Sequence, residues 1–118
     1  MTRIGAGAFP VVPGKSDRVR NFESELAPHR EEWDRLCREA GDYEFYTVSL
    51  QTGPQGDTAI YAFGLNHPAK ARLQFGDSAH DRWWVEYFED VHGIRLDDLT
   101  PEQISAGRPQ QVFSWTKE

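Results

Sequence analysis

Tyr43-Glu-Phe-Tyr-Thr-Val-Ser-Leu-Gln51 runs into Thr52-Gly53-Pro54-Gln55-Gly56-Asp57, which runs into Thr58-Ala-Ile-Tyr-Ala-Phe-Gly-Leu65. The two flanking runs are rich in aromatic and β-branched residues, so both read as strands. The middle run is turn chemistry. The three together read as an antiparallel hairpin. In the first strand Tyr43, Phe45, Thr47 and Ser49 fall on one side, and Tyr46, Val48 and Leu50 on the other. In the second, Ile60, Ala62 and Gly64 alternate with Ala59, Tyr61 and Phe63. Aromatic residues therefore lie on both sides of the hairpin.

Upstream, residues 4–12 are small, apolar and uncharged, and stop at Pro13-Gly14. They read as a buried strand that Gly5 and Gly7 weaken and that Pro10 places at an edge or a bend. Ser16 is a natural N-cap for the next element. Val19, Phe22, Leu26, Trp33, Leu36 and Ala40 then repeat at helical spacing, with Pro28 forcing a kink or two abutting helices. The opposite face pairs charges at i,i+4, as a solvated helix face does. Gly41 is placed to end the helix.

Downstream, Asn66-His67-Pro68 opens a short helix reaching about Phe75. Ser78 caps a stronger one over 79–91 whose inner face is His80, Trp84, Phe88 with Tyr87, and Val91, with Gly93 as its stop. Residues 94–96 read as a short extended piece. Thr100-Pro101-Glu102-Gln103 is a capping box for one or two helical turns. Residues 111–116 alternate and close the chain as a strand.

The order is strand, helix, strand, strand, helix, strand. The fold class is α+β: one antiparallel sheet with helices on one face, in a single domain over residues 1–118. This split arrangement is ferredoxin-like βαββαβ. One layer of helices covers only one face of the sheet, so the other face predicts a homodimer packed sheet to sheet.

Composition bounds the function. The 118 residues hold 19 acidic and 13 basic side chains, a net charge of −6, which argues against a nucleic-acid partner. Cys37 is the only cysteine, so no intramolecular disulfide and no cysteine-rich zinc site can form. It reads as a small space-filler. No secretory leader and no membrane span is recognised, so a cytoplasmic protein without membrane partners is expected. No dinucleotide, nucleophile-elbow or zinc-helix motif occurs. The four histidines are not at metal-ligand spacing with one another, and neither a metal nor a cofactor is expected.

Pro13-Gly14, Gln55-Gly56-Asp57 and the run from Asp81-Arg82-Trp83-Trp84 to His92-Gly93-Ile94, in this element order, resemble the dimeric α/β-barrel superfamily. The likeness covers roughly residues 9–116. Within it, the chain is most similar to a small, largely uncharacterised bacterial family related in fold to antibiotic-biosynthesis monooxygenases. The resemblance implies a ferredoxin-like subunit and a dimer across the sheets. It leaves cofactor-independent monooxygenases, isomerases and haem proteins open. In haem-degrading members a helix histidine ligates iron near a tryptophan and an asparagine. Here Trp83 or Trp84 followed by His92 is loosely similar, without an obvious asparagine.

The candidate site follows. Trp33, Tyr46, Tyr61 and Trp84 could line a cavity for a small apolar or aromatic ligand, with Phe63 beside them and His92 as a further contact. His80, on the Trp84 face, could serve as a general base in a monooxygenase-like or isomerase-like reaction on an acidic phenol or enol. The structural alternatives are an aromatic core, a His80 that is partly exposed and paired with Asp81, and a cationic His92 favoured by the last helix carbonyls.

Overall fold

The structure is a computed structural model, and it describes residues 3–67, 76–100, 102, 103, 113 and 115. In chain order the elements are β1 (Arg3–Pro10), α1 (Ser16–Arg20), α2 (Phe22–Leu26), a single 3-10 turn (Ala27–His29), α3 (Arg30–Glu39), β2 (Tyr43–Gln51), β3 (Thr58–Leu65), α4 (Ala79–His92) and a 3-10 turn at Leu96–Asp98. The protein is α+β. Its three described strands form an antiparallel sheet in the order β1-β3-β2. The expected short helix of 68–75 lies outside the described residues, as does most of the expected closing strand of 111–116. Phe113 and Trp115, which are described, form no strand and are exposed.

The hairpin alternation holds with one correction. Tyr46 pairs with Phe63, Val48 with Tyr61 and Leu50 with Ala59, so all six share the helix-covered side. Tyr43 joins them, because the register shifts between Tyr43 and Phe45. A bulge changes the parity of every residue beyond it. The Tyr43 ring therefore lies against Tyr46 and Phe63 at 5.9 and 5.6 Å.

The glycines of β1 acquire a packing role here. Gly5 is opposite Phe63, and Gly7 is opposite Tyr61. A Cβ on Gly5 would stand 2.6 Å from the Phe63 ring, and one on Gly7 would stand 2.8 Å from the Phe9 ring. Two bare backbone positions thus let aromatic rings lie flat across the strand. The ladder stops at Pro10. Val11 donates its N–H to the Asp57 carbonyl at 2.9 Å, and Val12 donates to Val91 at 2.7 Å.

Val19, Phe22 and Leu26 are buried, as the helical spacing predicts. Ser16 is not an N-cap: it is the first helical residue, and its hydroxyl donates to Asp57 Oδ2 at 2.5 Å. The break at Pro28 is the Ala27–His29 turn. Gly41 has φ 95°, the left-handed backbone that ends α3. α4 is capped at both ends as predicted. Ser78 Oγ accepts the Asp81 N–H at 3.1 Å, and Gly93 takes φ 71°. Leu96 opens a 3-10 turn instead of extending 94–96. The Thr100–Gln103 capping box closes reciprocally at 2.8 and 3.1 Å.

The core lies between α4, the α1–α2 pair and one side of the sheet. Phe22 is its hub, with Trp83, Trp84 and Tyr87 rings at 5.4–5.5 Å. Over this core Arg18 binds Glu25, Glu86 and Asp90, and it lies 5.3 Å from the Tyr87 ring. The guanidinium holds the Glu25 carboxyl below its ordinary range, and Lys15 together with Arg18 does the same for Asp90.

Gly5→Ala should destabilise the fold by about 1–3 kcal/mol in urea denaturation, and much of that cost should vanish on a Phe63→Leu background. Arg18→Gln should cost about 1–2 kcal/mol at pH 7, the figure being reduced for solvent screening. Two of its partners, Glu25 and Asp90, have depressed folded pKa values. Their contribution is present above the ordinary carboxylate range and is lost as pH falls through the folded values. The difference between Arg18→Gln and the parent should therefore shrink in melts at pH 3–4.

Candidate functional site

Each predicted site residue lies on the covered side of the sheet or on the helices above it. Trp33 on α3 meets Tyr46 at 5.0 Å and stacks on Trp84 at 5.9 Å. Trp84 is 6.2 Å from Tyr61 and 6.5 Å from Tyr46. Tyr46 stacks on Phe63 at 5.6 Å. These rings touch one another, and Tyr61 and Trp84 are buried. They make a continuous aromatic layer, so this part of the predicted lining serves as core. Burial pushes the Tyr46 and Tyr61 phenols well above their ordinary range, so both stay protonated.

His92 stands at the far end of this layer. Its Nδ1 lies 2.7 Å from the Pro10 carbonyl, which can only accept, so Nδ1 carries a proton. Its Nε2 lies 2.8 Å from the Tyr61 hydroxyl, itself 3.1 Å from that of Tyr87. The cationic form expected at a helix end is not favoured. Burial lowers the His92 pKa, and the Pro10 bond only partly offsets this. A neutral ring donating from Nδ1 and accepting at Nε2 has both nitrogens engaged, which leaves none for haem iron. His92 instead ties the end of α4 to the end of β1.

His80 is different. It is 4% exposed, so it is not the partly exposed first-turn residue that its place in the chain suggests. Docking of α4 on the sheet buries its inner face from the first turn. The pairing with Asp81 is present: Nδ1 is 3.2 Å from Asp81 Oδ1. Asp81, buried as well, is oriented by the Gly76 N–H on Oδ2 at 2.7 Å. Nε2 is buried without a hydrogen-bond partner among the described residues.

Two further residues stand around His80, and the first of them carries no functional signal of its own in the sequence. Glu32 on α3 places Oε2 3.9 Å from His80 Nδ1 and accepts the Ser78 hydroxyl at 2.6 Å. His29, one residue after Pro28, stacks on Trp83 at 5.8 Å and stands 6.4 Å from His80. The only signal for Glu32 was its one-turn offset from Pro28, and it is lost in a run of charged residues. Trp33 and Trp83 complete the ring at 5.8 and 6.4 Å from His80. Cys37 takes no part in this group, and burial pushes its thiol up to about 11, which suits a space-filling residue.

Comparison with known proteins finds no match: no family model, no curated protein and no solved structure. No described helix is long and apolar enough to cross a membrane.

His92 gives a pH test with a definite sign. Its folded pKa is below the unfolded value, so stability is full above the ordinary histidine range. It falls as pH drops toward the lowered folded value, because the unfolded chain takes up the proton first. His92→Phe should remove this part of the acid-side slope between pH 7 and 5, at a cost of about 1–2 kcal/mol for the two lost hydrogen bonds. Chemical denaturation across that pH range reads both effects.

Proposed function

We propose that this chain is a ferredoxin-like subunit that pairs with a second copy through its sheet and binds a small aromatic molecule bearing a hydroxyl group at His80. One observation carries the ligand: His80 is buried, and Nε2 lacks a partner among the described residues. A buried acceptor left alone costs about 1–3 kcal/mol. A hydroxyl donated by a ligand removes that cost. The rings of His29, Trp33 and Trp83 supply flat apolar walls, and the carboxylates of Glu32 and Asp81 disfavour an anionic ligand.

The Asp81–His80 pairing also favours an enzymatic reading. Nδ1–H held toward Asp81 leaves Nε2 as the basic nitrogen. A phenol or enol proton passing to Nε2 yields the ligand anion and an imidazolium that faces two carboxylates. This is the proton-transfer step that monooxygenase-like and isomerase-like chemistry both need.

The subunit reading rests on the split order β1-β3-β2, with β3 antiparallel to both neighbours and the α1–α3 segment connecting β1 to β2. The dimer rests on the bare side of the sheet. Ile4, Ala6 and Ala8 of β1, Ile60, Ala62 and Gly64 of β3, and Phe45, Thr47 and Ser49 of β2 share that side. None is charged, in a chain of net charge −6. Glu44, exposed beside Phe45 at the bulge, is the charge at the end of that side; the middle of the side can meet a second copy without opposing like charges, and Ile4 and Phe45 are exposed until it does.

Titration with 2-naphthol and with its methyl ether, read by tryptophan fluorescence, tests the ligand. The naphthol should bind at least about tenfold more tightly, a preference of about 1.4 kcal/mol, and His80→Phe should abolish that preference. Equal binding of the two would overturn the reading. In light scattering the protein should have twice the 13.5 kDa chain mass, and Ala62→Glu should give a folded monomer. A monomeric parent at micromolar concentration would contradict the dimer.

A further inference from the structure

We infer that Glu32, His80 and Asp81 form a site for a divalent transition-metal ion of the zinc type, between α3 and the first turn of α4. Their ligand atoms all lie within 4.8 Å of one another. His80 Nδ1 is 3.2 Å from Asp81 Oδ1 and 3.9 Å from Glu32 Oε2. A hydrogen bond from a ring N–H to a carboxylate is ordinarily about 2.7–2.9 Å. Two ligands held about 2.1 Å from a tetrahedral zinc ion are about 3.4 Å apart. The observed separations straddle the second value and exceed the first. One nitrogen and two carboxylate oxygens are a donor set that suits zinc.

The surroundings match what metal ligands need. Both carboxylates have a hydrogen-bond donor that fixes their orientation: the Ser78 hydroxyl on Glu32 and the Gly76 N–H on Asp81. Ser78 also accepts the Asp81 N–H, so one residue aligns both ligands while capping α4. The imidazole is held loosely: Nδ1 has a long 3.2 Å contact with Asp81 that an ion can replace, and the buried Nε2 has no hydrogen-bond partner among the described residues. Glu32 is partly exposed, with 27% of its side chain accessible, which gives an ion an approach from solvent.

The ion sits on the Nδ1 side and the proposed aromatic ligand on the Nε2 side, so the two proposals stand or fall separately. With an ion on Nδ1 the ring proton moves to Nε2. The metal-loaded protein then presents a donor there, and the metal-free protein an acceptor.

Calorimetric titration of the chelator-treated full chain with zinc chloride tests the inference. One equivalent per chain is expected, with heat retained in Cys37→Ser. Glu32→Gln should weaken binding by at least about tenfold, and His80→Phe should abolish it. Ser78→Ala, which keeps all three ligands, should weaken it less than Glu32→Gln does. Thermal melts of each metal-free variant establish that it is folded, and a melting rise with zinc is a second readout. No heat in the parent would overturn the site, as would binding that persists unchanged in Glu32→Gln and His80→Phe.

Discussion

Every other feature of the protein depends on α4 lying flat against β3. Trp84, Tyr87, Phe88 and Val91 are buried on one stripe of the helix, and Ala59, Tyr61 and Leu65 are buried on one side of the strand. Apolar burial on this scale is the main force available to a chain of 118 residues. The docking is directional because polar groups complete it. The Val91 carbonyl and His92 Nδ1 both bond backbone groups at the end of β1, while Tyr61 reaches His92 from below. Once α4 is held in this way its first turn is buried too. His80 and Asp81 lose water because of where the helix lies, not because of any preference of their own.

The same docking divides the sheet into two unlike sides. Aromatic rings crowd the covered side, and the glycines of β1 give them room. The bare side carries mostly uncharged residues, with Glu44 beside Phe45 at the bulge as its charge, although more than a quarter of the chain is charged. Charges gather instead on the outer helices, where Arg18 joins α1 to α2 and α4. This partition gives the dimer proposal its physical content.

Much of this was legible before the structure. Strand alternation in β2 and β3, the caps Ser78 and Gly93, and the Thr100–Gln103 box depend on neighbours within a few residues, and the sequence carries them. Features that depend on contact between distant segments were not legible. Ser16 leaves its capping role for Asp57, 41 residues away. The bulge that moves Tyr43 to the covered side is a property of strand pairing. His92 is neutral because β1 and β3 close over it. Of the candidate site, His80 and its partner Asp81 were readable from helical spacing, and Glu32 was not. It arrives from another helix, and nothing in a run of surface charges marks the one carboxylate that turns inward.

The account turns on the protonation of a single buried ring. Long-range proton–nitrogen NMR of the metal-free protein at neutral pH reads both nitrogens of His80 directly. The Asp81 contact predicts a proton on Nδ1 and a bare Nε2. A proton found on Nε2 in the metal-free, ligand-free protein would contradict it.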